Sequence, residues 1–200
     1  KLTSEQSEIH QALIESVGSN ITLKYPKNGE YRSAYVIANI DDEPTDEAMV
    51  FYEYTSNGSE EDGLRVNILD KDEDGKWYSV KELAGAGTDI DQVIISPMGS
   101  NNQTDVFVGY QNLTNDEKTM EIYSYTDGDF KRVALDTYSV LEPLDINNDG
   151  YIELITIQRS TNNDTGVVTA KASMLNMKNN EITRGENVDM CDNVTSYVSS

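Results

Sequence analysis

The stretch that decides the fold is residues 139–188, where four short segments are separated by turn-forming residues. The segments are SVLEPLD at 139–145, YIELITIQ at 151–158, VTAKASML at 168–175 and EITRGENV at 181–188. Val, Ile, Tyr and Thr recur within the segments, and Asn, Asp and Gly recur between them. This alternation is typical of antiparallel strands joined by tight turns, so the stretch predicts a four-stranded unit.

The same succession of four segments occurs twice more upstream. It is AYVIANID, EAMVFYEY, LRVNIL and KWYSVKEL between residues 34 and 83, and QVIISPM, DVFVGYQ, TMEIYSY and DFKRVAL between residues 92 and 135. Trp77, Phe130 and Ile182 each follow the turn before the fourth segment, at intervals of 53 and 52 residues. A repeating four-strand unit of about 50 residues is typical of the blades of a β-propeller.

Two features of the segments favour blades over a sandwich. The second segment of each unit is apolar at nearly every position, as expected for a strand covered on both faces. The first segments contain Pro97 and Pro143 at matching places, and proline is tolerated mainly at a sheet edge, such as the innermost strand of a blade. A sandwich with irregular hairpins is the alternative.

One amphipathic helix precedes the strands, at residues 3–17. Thr3 or Ser4 caps it, Gly18 ends it, and Ile9, Leu13 and Val17 form an apolar stripe with Ala12 beside it.

We therefore predict an all-β fold, a β-propeller-like array of about three four-stranded blades with one N-terminal helix. Residues 1–30 form the helix and a lead-in strand, and residues 31–200 form the blades. The predicted blades are 33–85, 90–137, 139–190 and the start of a fourth at 193–200. Four blades are about the minimum for closure, so this is an incomplete propeller. Either the chain is a fragment of a longer propeller, or the lead-in strand and tail cover the exposed faces, or open ends self-associate.

Composition excludes several classes of partner and chemistry. The 15 basic and 36 acidic residues give a net charge of -21, which disfavours nucleic acid and anionic membrane surfaces. No run of 18 apolar residues is present, so direct membrane insertion is not expected. The single histidine, His10, and the single cysteine, Cys191, fall on different elements, so we predict no catalytic residues of the Ser/His/Asp or Cys/His kind.

The strongest motif is DINNDGYIELITI at residues 145–157. Oxygen donors fall at its positions 1, 3, 5, 7 and 9, namely Asp145, Asn147, Asp149, the carbonyl of Tyr151, and Glu153. Oxygen-only ligands select a hard cation, and the flexible coordination of calcium suits a tight loop better than the octahedron of magnesium. An EF-hand would require a carboxylate at position 12, which is Thr156, and flanking helices. The motif predicts a Ca²⁺ site, with a metal-free Asx turn as the alternative.

The D-x-N-x-D-G-x-x-E pattern between two strands resembles the calcium hairpin of FG-GAP/VCBS-type propeller repeats, which occur in integrin α-subunit heads and bacterial surface proteins. The first 54 residues are also similar to the start of secreted Gram-positive lipoproteins that carry such propellers. The resemblance implies an extracellular protein, attached to the cell surface by a lipid anchor upstream of this chain. It implies no particular ligand.

Other acidic positions are weaker candidates. The loops DDEPTDE at 41–47 and MGSNNQTD at 98–105 lack the oxygen ladder, so a metal site is expected in the third unit only. A second ladder, DKDEDGKW at 70–77, places Asp70, Asp72 and Asp74 before a glycine. We interpret it as a turn rather than as a metal-binding loop, which is the weaker alternative. The second segment of every unit has a carboxylate at or near its start. This recurrence favours a structural role in the repeat over a catalytic role. The carboxylates are Glu47, Asp105 and Glu153.

The leading hypothesis is a non-catalytic extracellular binding module with a calcium-stabilised blade hairpin and a protein or carbohydrate ligand. A polysaccharide-active enzyme that uses propeller carboxylates is one alternative, and a structural spacer of a larger surface protein is the other.

Overall fold

The computed structural model describes residues 1–55, 63–99, 103–113, 116–178, 181–185 and 188–192, with the backbone alone at 178 and 188–192. This part of the chain forms one helix, α1 (Ser4–Val17), followed by short antiparallel strands. The strands are β1 (Ile21–Leu23), β2 (Tyr35–Ala38), β3 (Glu47–Tyr54), β4 (Leu64–Lys71), β5 (Trp77–Ala84), β6 (Asp89–Ser96), β7 (Asp105–Gln111), β8 (Lys118–Thr126), β9 (Asp129–Tyr138), β10 (Val140–Leu144), β11 (Glu153–Thr161), β12 (Val168–Lys178), β13 (Glu181–Arg184) and β14 (Val188–Asp192).

Helix α1 begins and ends at the predicted residues. The Thr3 side chain accepts a hydrogen bond from the main-chain N–H of Gln6 at 3.1 Å, and the Gln6 side chain accepts one from the main chain of Thr3, also at 3.1 Å. This reciprocal pair is a complete capping box. Ile9 and Leu13 of the predicted apolar stripe are fully buried and pack with the side chains of the first sheet. In the part of the chain that the structure describes, no helix has the length and apolar character needed to cross a membrane.

The first sheet has the strand order β1-β3-β4-β5, and β2 also pairs with β3. Tyr35 of β2 lies opposite Val50, and Leu23 of β1 lies opposite Tyr52, so β2 and β1 line successive halves of one edge of β3. The lead-in strand therefore extends the β2 edge of the first sheet. Strand β3 is buried from residue 47 to residue 52 on both faces, as its apolar sequence predicts.

The second and third sheets have the orders β6-β7-β8-β9 and β10-β11-β12-β13. Pro143 lies in β10, at the edge of the third sheet, where a missing N–H is tolerated. The predicted fourth segment at 181–188 is divided, because β13 pairs with one end of β12 and β14 pairs with the other. The fourth blade predicted at 193–200 lies outside the described residues.

These three antiparallel sheets after one helix confirm the predicted all-β array of blades. The chain divides into two compact units. The first comprises residues 1–94 and 108–113, and it contains α1 and the first sheet. The second comprises residues 95–107 and 114–200, and it contains the third sheet with the predicted calcium hairpin.

Candidate functional site

The predicted calcium motif forms the hairpin between β10 and β11. Asn148 and Gly150 adopt left-handed backbone conformations, with φ of 56° and 88°. Glycine takes this conformation without strain, and asparagine takes it more readily than most other residues. The chain therefore reverses sharply inside the motif, and this reversal brings its alternating oxygen-bearing side chains together.

Four side chains of the hairpin accept hydrogen bonds from its own main chain, and that of Glu153 is described below with the other sheets. The carboxylate of Asp145 accepts hydrogen bonds from the main-chain N–H groups of residues 149 and 150, at nitrogen-to-oxygen distances of 3.1 and 3.0 Å. Asp149 receives the N–H of Tyr151 at 2.9 Å. Asn147 Oδ1 receives the N–H of Asp149 at 3.0 Å. The contacts of Asn147 and Asp149, two residues apart, are Asx turns, whereas Asp145 accepts from residues four and five positions further along the hairpin.

The amide nitrogen of Asn147 lies between two carboxylates. Its Nδ2 donates to Asp149 Oδ2 at 3.0 Å and to Glu153 Oε1 at 3.3 Å. Among the described residues, no three His, Cys, Asp or Glu side chains are arranged around one point as metal ligands. The amide group of Asn147 instead links the carboxylates of Asp149 and Glu153 within the hairpin. The four side chains offer only oxygen and amide groups at alternating sequence positions, which is the donor chemistry that a hard cation requires.

The hairpin concentrates negative charge. Within the described ranges, no Lys or Arg forms an ion pair with Asp145, Asp149 or Glu153. A cavity of about 390 Å³ opens beside the hairpin. Polar and apolar side chains share its wall, namely Asn147, Asp149, Tyr151, Glu153, Asn176 and Thr183 on the polar side and Met98, Ile152, Met174 and Met177 on the apolar side. This volume is at the lower end of the range for small-ligand sites.

The carboxylate that opens the second strand of each sheet makes the same hydrogen bond in all three. Each accepts the main-chain N–H of the residue seven positions before it and so closes the loop between the first and second strands. The pairs are Glu47 with Ile40 at 2.8 Å, Asp105 with Met98 at 3.0 Å, and Glu153 with Ile146 at 3.0 Å. We call these three carboxylates the loop latch. The sequence analysis identified the recurring carboxylates but not their hydrogen-bond partners. The signal that could have identified these partners is the apolar residue that lies seven positions before each carboxylate.

The latch differs in burial among the three sheets. Glu47 and Asp105 are almost fully buried, whereas Glu153 is half-buried. Burial raises the pKa of Glu47 to about 7, with the hydrogen bond from Ile40 acting in the opposite direction. Burial also raises the pKa of Asp105, and hydrogen bonds from Met98 and Ser124 lower it. Each of the three carboxylates is hydrogen-bonded within its own loop.

The second acidic ladder, at 70–77, forms the hairpin between β4 and β5. Asp72 Oδ1 accepts the N–H groups of Asp74 and Lys76 at 3.0 and 2.9 Å, and Gly75 has a φ of 77°. This is the geometry of an Asx-stabilised turn. Asp70 lies on β4 itself, opposite Tyr78, and its Oδ1 accepts the main-chain N–H of Lys71 at 2.6 Å.

Trp77 is not available for stacking on a sugar. Only 3% of its surface is exposed, and Lys71 Nζ lies 4.6 Å from the centre of its ring. It packs in the core formed by helix α1 and the first sheet.

Compared with protein-family models, with curated proteins and with solved structures, the chain matches none of them. The FG-GAP/VCBS resemblance of the hairpin therefore stays a prediction.

Proposed function

We propose that this chain is a non-catalytic binding module of the FG-GAP/VCBS type, which acts outside the cell, attached to its surface, and uses calcium to stiffen the third-sheet hairpin. The observation that carries the proposal is that Asp145, Asn147, Asp149 and Glu153 lie in one hydrogen-bonded loop beside an open cavity. Calcium loops of this kind bind weakly, and extracellular calcium is concentrated enough to fill them.

Each residue of the hairpin has a defined part in this proposal. The side chains of Asp145, Asp149 and Glu153 would supply three negative oxygens, and Asn147 and the Tyr151 carbonyl would supply neutral ones. Calcium contributes a fixed positive charge that offsets the mutual repulsion of the three carboxylates. The hairpin forms one wall of the cavity, so a stiffer loop keeps that wall in place for a protein or carbohydrate ligand.

Thermal unfolding with calcium and with a chelator tests the metal. If calcium is present at about 100 times its dissociation constant, it should stabilise the fold by about 2.7 kcal/mol. For a chain of this size, that raises Tm by roughly 5–10 °C. The calcium-dependent rise should disappear in Asp149→Ala, whatever the Tm of that variant is without calcium.

Asp164→Ala is the matched control, because Asp164 is an exposed carboxylate in another turn of the same sheet. Its calcium-dependent rise should equal that of the unchanged chain. Equal melting curves with calcium and chelator for the unchanged chain would refute the calcium site.

The binding role is tested with a panel of soluble polysaccharides and surface proteins. Saturable binding without turnover is the expected result. Turnover that is lost when one of the latch carboxylates is neutralised would favour the enzyme alternative, and the absence of saturable binding would favour a structural spacer.

A further inference from the structure

A second cavity lies between helix α1 and the hairpin that joins β4 to β5, and the proposed function does not use it. Its volume is about 350 Å³. Five residues of α1, between Ser7 and Glu15, line one side of this cavity, and Lys76 and Trp77 line the other. All of them belong to the first compact unit. We call this cavity the α1 groove.

The groove has a buried apolar wall and a polar rim. Ala12 of α1 and Trp77 of β5 are its two buried lining residues, and the other five are exposed. Ala12 carries only a methyl group, so α1 fills little of the space beside the indole ring. The volume lies within the range for binding sites, and the few polar groups around an apolar wall are typical of them.

The wall contains a hydrogen-bond donor that has no partner. Trp77 is 3% exposed, and its indole Nε1 makes no hydrogen bond with the part of the chain that the structure describes. A buried indole N–H usually has a partner, and leaving one unpaired is unfavourable. Lys71 lies 4.6 Å from the centre of the ring, but its ammonium group only donates. An acceptor from another molecule would satisfy Trp77.

The two sides of the rim have opposite charges. Glu8 and Glu15 lie on α1 with a spacing of seven residues, which places them on the same side of the helix about 10 Å apart. Lys76 lies on the hairpin side. Within the described ranges, none of these three side chains forms an ion pair. Their charges are therefore available to a partner.

We propose that the α1 groove binds an amphipathic helix of a partner protein. The apolar stripe of that helix packs against Ala12 and Trp77, and basic side chains seven residues apart on one flank pair with Glu8 and Glu15. An acidic side chain on the other flank pairs with Lys76 and accepts the N–H of the adjacent Trp77. The net charge of -21 favours the approach of a segment with basic residues. The site shares no residue with the cavity beside the 145–153 hairpin.

The single tryptophan of the chain provides the readout, because an isotope-labelled chain gives one indole N–H signal in NMR spectra. The probe is a synthetic helical peptide of three heptads with a leucine stripe, lysines on one flank and glutamates on the other. Titration should give saturable binding and move the indole signal downfield, as expected when the N–H gains an acceptor. A peptide with the same stripe and lysines on both flanks should bind about two- to fivefold more weakly, because Lys76 loses its partner.

Exchanging the charges of the rim tests the recognition itself. Lys76→Glu should reverse the preference, so that the peptide with two lysine flanks binds more tightly than the mixed peptide. Glu8→Lys should weaken binding of the mixed peptide about fivefold. Glu73→Lys is the matched control, since Glu73 is exposed on the same hairpin outside the groove and changes the net charge equally. It should leave the affinity unchanged.

Three outcomes overturn the proposal. One is the absence of a saturable shift of the indole signal with either peptide. Another is a preference between the two peptides that Lys76→Glu does not alter. The third is a dimer of the unchanged chain in sedimentation experiments that Glu8→Lys dissociates, which would assign the α1 groove to a second copy of this chain.

Discussion

The loop latch of the second sheet predicts a specific loss of stability in Asp105→Ala. Asp105 is fully buried, and its Oδ2 accepts the N–H of Met98, which is itself buried. Truncation leaves that N–H without a partner inside the protein. Removing a charged acceptor from a buried donor costs about 2–3 kcal/mol, which for a chain of this size lowers Tm by roughly 5–10 °C.

Asp105→Asn distinguishes the hydrogen bond from the charge. The amide oxygen can still accept the N–H of Met98, and the variant no longer buries a carboxylate whose pKa is raised by desolvation. These two effects act in opposite directions, so we expect the free energy of unfolding to change by less than about 1 kcal/mol.

The other two sheets give a graded comparison. Glu47→Ala should resemble Asp105→Ala, because the Glu47 hydrogen bond to Ile40 is also buried. Glu153→Ala should cost less than about 1 kcal/mol in the absence of calcium, because Ile146 is 52% exposed and its N–H can bond to water instead.

Urea denaturation measures these differences in the free energy of unfolding. Trp77 fluorescence reports on the first sheet, and circular dichroism reports on the whole chain. The latch interpretation is refuted if Asp105→Asn loses as much stability as Asp105→Ala. It is also refuted if Glu153→Ala without calcium loses as much as Asp105→Ala, because burial would then not control the cost.

Two further predictions concern pH and the helix. The pKa of Asp105 is raised in the folded protein above its ordinary value of 3.8. The protonated Asp105 side chain therefore stabilises the fold fully below pH 3.8, and this stabilisation is lost as the pH rises through the pKa of the folded state. From about pH 3 to about pH 7, the free energy of unfolding of Asp105→Asn should therefore rise relative to that of the unchanged chain. A difference between the two free energies that stays constant with pH would contradict this. Thr3→Ala breaks the capping box and should cost about 1 kcal/mol, whereas Thr3→Ser should restore most of it; equal Tm values for the two variants would exclude the cap.

Local patterns predicted much of the fold because the interactions concerned are local. The helix follows from the cap at Thr3 and the stripe through Ile9 and Leu13, and the strands follow from short apolar segments between turn residues. The divided outer strand of the third sheet could not be predicted, because β13 and β14 are defined by which half of β12 each one pairs with.

The sequence by itself determined the spacing of the oxygen ladder from Asp145 to Glu153, because all its members lie within one tight turn. Only the tertiary structure decided that Glu47 faces Asp70, that its second oxygen is buried without a partner, and that the latch is more deeply buried in two sheets than in the third. Register and burial depend on contacts between distant segments, and a shift of one residue would have turned Asp70 to the other face of its sheet.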